Sequence, residues 1–357
     1  MDDGRKRVLY CGRPPPSETK EFAVLTKTMQ IRASFVLLVL AVTCGHLAAQ
    51  AITEQKQVVA FLFGTVHPLN PDKTPIKEST NGHPLEVETP LGTGFFVKYP
   101  DSRGGPTYGF VYLVTAKHVL RDSDGTFLPK VKARLNLRKP TDDTGVDFIN
   151  DIPVADAKGN LLWFQDEKDP TNETVVLPLL PDEQKFELRT VPIEMFVTEA
   201  QLKSDAVAEG DNLYFIGLMA QYYGDKRNYP VVRRGTLAMM TDEDIATPVG
   251  PQKAFIAELQ SWPGNSGSPV FLSLGGLRGG VMQFGQRFSL LGLVLGTYTN
   301  KLSAPVVEDK AIFKVGVQLP IGISFIVPAS RIREVLGSPA AQARRDTEIK
   351  AQFPAAK

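Results

Sequence analysis

Cysteine is nearly absent: the 357 residues hold two, Cys11 and Cys44. Two thiols cannot build a disulfide scaffold or a structural zinc site, so the core must stand on apolar burial. Histidine is scarce as well, with four in the chain. His67 and His83 have no second ligand at metal-binding spacing, and no metal site or cofactor is expected. A surplus of one charge is also missing, because 40 Lys and Arg face 39 Asp and Glu. The basic pairs Arg233-Arg234 and Arg344-Arg345 are too short for a nucleic-acid stripe. Asp122-Ser123-Asp124-Gly125 opens like a calcium loop, but the downstream ligands are lacking and it reads as a plain turn. Apolar runs long enough to span a bilayer do not occur. The run Ser34 to Cys44 falls short of the ~20 residues that a spanning helix needs.

That run has another use. It follows Arg32 and precedes small residues, as the h-region of a secretory signal peptide does. Residues 29–50 read as the leader, with cleavage at Leu47-Ala48-Ala49 or Ala49-Gln50-Ala51. Residues 1–28 read as an extension upstream of the true start at Met29. Cleavage after Ala49 removes seven basic and four acidic residues, leaving 33 against 35, and removes both cysteines. A cysteine-free product suits an oxidising compartment, and an extracytoplasmic location, secreted or periplasmic, is expected. No stable membrane insertion is expected after cleavage.

What is plentiful is turn punctuation, with 30 Gly and 27 Pro. It separates short runs of β-branched and aromatic residues: Val58 to Val66, Gly94 to Val97, Phe110 to Thr115, Leu213 to Gly217, Val231 to Met239, Ala254 to Leu259 and Leu290 to Thr297. Many short strands with such punctuation predict a sandwich or barrel. One short helix is predicted near 329–336, between Pro328 and Gly337. Residues 138–169 read as a long polar connection with one strand inside, and residues 338–357 as a fraying tail.

Two segments carry chemistry. In Gly264-Asn265-Ser266-Gly267-Ser268-Pro269 a serine stands in a tight glycine-flanked turn. Such a turn projects a hydroxyl and aims backbone N–H groups at a developing oxyanion. In Val114-Thr115-Ala116-Lys117-His118-Val119 a strand delivers a histidine at its end, on a rigid element suited to a general base. No histidine follows His118 and position 268 is Ser, so the nucleophile-elbow hydrolases are excluded.

Taken in order, Gly92 to Val97 (GTGFFV), Val114 to Val119 (VTAKHV) and Gly264 to Val270 (GNSGSPV) resemble the trypsin-like serine proteases. The closer likeness is to bacterial secreted peptidases of the high-temperature-requirement type. Gly210 to Gly217, Leu290 to Gly296 and Phe325 to Ala329 add to a likeness that spans roughly residues 57 to 337. The resemblance implies an all-β fold of two six-stranded Greek-key barrels, about 57–200 and 205–327, with a short closing helix. It implies His118 as base, Ser266 as nucleophile, and the N–H groups of Gly264 and Ser266 as the oxyanion hole. The acid falls at Glu173, where the family usually has Asp; Asp166, Asp169 or no third member are the alternatives. Asn172-Glu173-Thr174 also matches a glycosylation sequon, an accidental match if Glu173 is buried against His118. The resemblance puts Gln260 at the base of the specificity pocket and Gly296 and Tyr298 on its wall, so a strong preference for Arg or Lys is not expected. The expected partner is a peptide or protein substrate, not nucleic acid, and the oligomeric state is left open. Too few residues follow Leu336 for a PDZ module. The competing reading is a protease-like binding protein with little turnover.

Overall fold

The structure is a computed structural model. It describes residues 52–353 apart from 81, 279, 309 and 310, with the backbone alone at 284 and 301–318. The leader, the upstream extension and both cysteines lie outside the described residues.

Two β bodies follow one another along the chain. The first holds β1 (Val59–Val66), β2 (Val87–Pro100), β3 (Gly109–Ala116), β4 (Lys130–Asn136), β5 (Val146–Pro153) and β6 (Thr174–Pro178). They are ordered β5-β4-β1-β2-β3-β6, with the short β7 (Val191–Pro192) parallel to β2. The second holds β8 (Asn212–Gly217), β9 (Val231–Met239), β12 (Phe255–Glu258), β13 (Pro269–Arg278), β14 (Val281–Glu308) and β15 (Ala311–Pro328). These close into a barrel ordered β12-β15-β14-β13-β8-β9. A hairpin of β10 (Asp244–Thr247) and β11 (Gly250–Lys253) sits between β9 and β12 in the chain. Numbered within each body, the six strands run in the same cyclic order, one-two-three-six-five-four. That shared order makes the fold a double β-barrel of the trypsin-like type.

The barrels differ at one seam. In the first, β5 and β6 do not pair directly. The chain between them folds back, Leu162 N–H donating to the Val154 carbonyl at 2.9 Å. Phe164 then exchanges two hydrogen bonds with Val176 of β6, at 2.8 and 3.1 Å. This is the polar connection of the sequence, and β5 is the strand expected inside it.

Apolar strands bury both faces here. Six successive residues of β1, Val59 to Gly64, are buried or nearly so, and Phe61, Phe95, Leu113, Leu293, Ile332 and Leu336 are all fully inaccessible. Burying each such side chain stabilises the fold by roughly 1.5–3 kcal/mol. A single apolar cluster runs from the first barrel through Leu293 and Phe325 of the second to the closing helix, which fixes the cleft between the barrels. The second barrel's interior forms a separate cluster around Phe215, Leu237, Leu272 and Ile326.

Among the described residues, three α-helices lie from residue 199 onward. Helix α1 (Glu199–Ser204) starts at a capping box in which Thr198 and Gln201 satisfy each other's backbone N–H. Helix α2 (Ala329–Leu336) has the predicted bounds and buries Ile332, Val335 and Leu336. The expected fraying tail is instead α3 (Pro339–Gln352). Ser338 caps it, accepting from Ala341 N–H at 3.3 Å, and Pro339 stands in its first turn. Its anchor is Arg345, 1% exposed, whose guanidinium lies 4.1 Å from the centre of the Tyr99 ring. Arg345 also donates to the Leu336 carbonyl at 2.8 Å and to the Tyr112 hydroxyl at 3.2 Å. Apolar periodicity does not register a helix held by a buried arginine.

Candidate active site

Strand β3 ends at Ala116, and Lys117–Leu120 form a 3-10 turn that carries His118. The turn is pinned from below by buried Val119 and Leu120. β3 pairs antiparallel with β6, and Ala116 faces Thr174. That register brings Glu173, the residue before β6, opposite Lys117 and His118. The Lys117 N–H donates to the Glu173 carbonyl at 2.8 Å. One carboxylate oxygen, Oε2, then accepts twice: from the His118 backbone N–H at 3.1 Å and from Nδ1 at 2.9 Å. A carboxylate only accepts, so the proton sits on Nδ1 and Nε2 is left as the basic nitrogen.

Glu173 is 8% exposed. Burial pushes its carboxyl up. Hydrogen bonds from the His118 ring and backbone, with the charges of His118 and Lys117, outweigh that and hold it below the ordinary glutamate range. A lowered carboxyl contributes stability above its unfolded-state value, and that contribution is lost as pH falls through the folded value. Lys117 is itself buried. Its ammonium, lowered by burial, donates to the Pro170 carbonyl at 2.8 Å.

Ser266 stands in the turn between β12 and β13. Asn265, almost fully buried, builds the turn. Its Oδ1 accepts from Trp262 N–H at 2.7 Å, and its Nδ2 donates to the Leu218 carbonyl. Gly264 and Gly267 have φ of +95° and +80°, a region that L side chains rarely adopt. A Cβ at Gly267 would lie 2.1 Å from the Thr93 carbonyl oxygen, 2.4 Å from Thr115 Oγ1 and 3.3 Å from Ala116 N. The serine turn therefore abuts the end of β3, two residues before His118.

Thr93 welds the two barrels at this point, and sequence reasoning assigned it no role. Its N–H donates to the Ser266 carbonyl at 2.9 Å. Its hydroxyl donates to the Gly264 carbonyl at 2.9 Å and accepts from Leu218 N–H at 2.8 Å. All of this is buried, so losing the hydroxyl would strand two polar groups at about 1–3 kcal/mol each. The signal in the sequence was a hydroxyl residue between two glycines inside an apolar strand.

Among the described residues, the backbone N–H groups of Gly264 and Ser266 donate to no partner, while those of Asn265, Gly267 and Ser268 do. Gly264 is buried and Ser266 half-buried, so these two N–H groups stand at the turn with their hydrogen-bonding capacity unused within the chain. The Ser266 hydroxyl donates to the Leu295 carbonyl at 3.4 Å, a long bond, and makes none to His118. Catalytic hydrogen bonds are often loose before substrate binds.

Ser266 opens onto a cavity of about 300 Å³, lined also by Ser261, Trp262, Val294, Gly296 and Thr297. No ionisable side chain lines it. Of the three residues expected in the pocket, only Gly296 is there. Gln260 is exposed, because the extended chain alternates and buries Leu259 and Ser261 instead. Tyr298 is 49% exposed. It lies at an irregularity in the pairing, where β15 has three residues, Ile321 to Ile323, opposite Tyr298 alone on β14, and bulges re-aim side chains.

The alternative acids lie elsewhere. Asp169 is ion-paired to Arg331 of α2, and Asp166 lies 3.3 Å from the same nitrogen. Asn172 is 1% exposed and its Oδ1 accepts from Thr174 N–H at 3.0 Å, a conformation with no room for a glycan. His67 pairs with Asp122 at 2.5 Å, away from His118. Among the described residues no group of three metal-ligating side chains occurs, and no helix is long and apolar enough to cross a membrane.

No protein-family model and no curated protein sequence matches the chain. Among solved structures it is similar to the MamO protease domain from Magnetospirillum magneticum in its apo form. The identity is 14% and the TM-score 0.38, over 80% of this chain and 98% of that one. It is also similar to human heparin binding protein, at 10% identity and a TM-score of 0.37, over 80% and 94%.

Proposed function

We propose that the chain is a serine endopeptidase that hydrolyses peptide bonds through an acyl-enzyme. Ser266 Oγ attacks the scissile carbonyl carbon as His118 Nε2 takes its proton. The carbonyl oxygen, now negative, is held by the Gly264 and Ser266 N–H groups. Collapse expels the amine, which receives the proton from His118, and leaves the ester on Ser266. Water repeats the sequence and frees the acid. Glu173 fixes the tautomer and stabilises the imidazolium at each transfer. The neutral cavity favours a neutral side chain before the cleaved bond, lying against Trp262 and Val294. The motifs support a secreted peptidase of the high-temperature-requirement type.

The observation that carries this reading is the pair of unpaired N–H groups beside a serine, adjoining a histidine whose tautomer a carboxylate sets. A fluorophosphonate probe tests it. The expected result is one covalent adduct, mapped by mass spectrometry to the peptide containing Ser266. The second reading, a protease-like binding protein, draws on the Ser266 hydroxyl turning to Leu295 rather than to His118. Intact protein that stays unlabelled after prolonged exposure favours it.

Action outside the cytoplasm follows from the h-region and its small-residue cleavage site. Sequencing the exported protein is expected to find an N-terminus at Gln50 or Ile52. An intact Met1 on the working protein contradicts export by this route.

A further inference from the structure

We infer that Arg331 is a positioning residue for Glu173, acting through the loop that delivers the acid; the inference rests on the catalytic reading of His118 and Glu173. Glu173 is not carried by a strand. It ends the loop 166–173, whose far end hangs on the seam of the first barrel. Three cations or amides from other elements hold this loop. Lys117 holds the Pro170 carbonyl at 2.8 Å, and Gln252 of the β10–β11 hairpin holds the Thr171 carbonyl at 2.7 Å. Arg331 holds its carboxylates.

The third hold differs from the others in what its loss would do. One guanidinium nitrogen of Arg331 meets both Asp169 Oδ2 and Asp166 Oδ2, the latter at 3.3 Å. Asp166 is 8% exposed, and its other oxygen caps the loop by accepting from Lys168 and Asp169 N–H at 3.0 and 3.2 Å. Without the guanidinium, the buried Asp166 carboxylate and the half-buried Asp169 carboxylate would stand close together with no cation between them, and like charges repel. The loop would relieve that by opening, and Asn172 and Glu173 would move with it. Asn172 is already tied to this network, its Nδ2 lying 3.4 Å from Asp166 Oδ2 and 3.5 Å from the Arg331 carbonyl. Arg331 itself cannot drift: its neighbour Ile332 on α2 is fully buried in the cluster that joins the barrels. The closing helix of the second barrel thereby sets the acid of the first.

The test compares the parent with Arg331→Met, Arg331→Lys and Glu334→Gln, reading steady-state kinetics and the proton resonance of His118 Nδ1–H. That resonance reports the bond to Glu173 whether or not the protein turns over. Arg331→Met is expected to lower kcat about 10²-fold with KM nearly unchanged, as a small misplacement of a catalytic group does. Its Nδ1–H resonance should move upfield or vanish. Arg331→Lys keeps one charge but reaches one carboxylate, so an intermediate loss and an intermediate resonance are expected. It also keeps the question answerable if Arg331→Met does not fold. Glu334→Gln removes the 2.6 Å partner of Arg331 on α2 without touching the loop, and should match the parent. Parent-like kcat and resonance in both arginine variants overturn the inference. A parent that does not hydrolyse peptides, but whose resonance still responds to Arg331→Met, sinks the protease reading and leaves the positioning role standing.

Discussion

Ser266→Ala is expected to abolish peptide hydrolysis and fluorophosphonate labelling while leaving the fold's stability almost untouched. Removing the nucleophile of a serine protease costs on the order of 10⁶ in kcat, the small remainder coming from the oxyanion hole and binding. Stability should change by no more than about 0.5 kcal/mol, because the site is half-buried and the hydroxyl makes only one long bond, 3.4 Å to Leu295. The turn is built by Asn265 and Thr93, which the substitution leaves in place. Calorimetry beside an active-site titration measures both. Undiminished hydrolysis by the alanine variant would remove the basis of the protease reading.

Glu173→Gln should lower kcat by at least two orders of magnitude with little change in KM. The geometry gives the amide two placements, since a single oxygen, Oε2, accepts from both Nδ1 and the His118 backbone N–H. If the amide NH₂ takes that place, the ring adopts the wrong tautomer and Nε2 cannot take the serine proton. If the amide oxygen takes it, the tautomer survives but the charge that stabilises the imidazolium is gone. The comparable acid-to-amide change in a well-studied serine protease lowers turnover roughly 10⁴-fold with the geometry intact. That is about 5 kcal/mol of barrier. KM is spared because the interaction strengthens only as the imidazole becomes charged. Glu173→Asp keeps the charge and shortens the reach, so partial activity is expected. Full activity in Glu173→Gln would mean that Ser266 and His118 work as a dyad.

Much of this site could be read before any fold was known. His118 and Ser266 each stand where a strand gives way to a tight turn, and both signals are local. The β pattern was legible for the same reason: short apolar runs with glycine and proline between them gave β1, β3, β8 and β9 nearly to the residue. Glu173 could be reached only by family order, since four acids lie within eight residues. What separates them is the β3–β6 register and an arginine more than 150 residues away, and neither is a local property. Gln260 and Tyr298 do not line the cavity beside Ser266, because a one-residue alternation or a bulge decides which way a side chain points. Helix α3 escaped notice because its anchor is a charged residue, which every hydrophobic pattern counts as solvent-facing.

The seam of the first barrel has a consequence for how activity fails. Between β3 and β6 five residue pairs form a continuous ladder, whereas the chain closing the gap to β5 holds β6 through the single bridge of Phe164 and Val176. A lone bridge opens at a lower free energy than a ladder, so segments such as this exchange their amide hydrogens through local opening rather than global unfolding. The loop that ends in Glu173 begins two residues after that bridge. On warming, the acid should therefore come loose while both barrels are still folded, and the temperature at which hydrolysis stops should lie below the melting temperature of the protein.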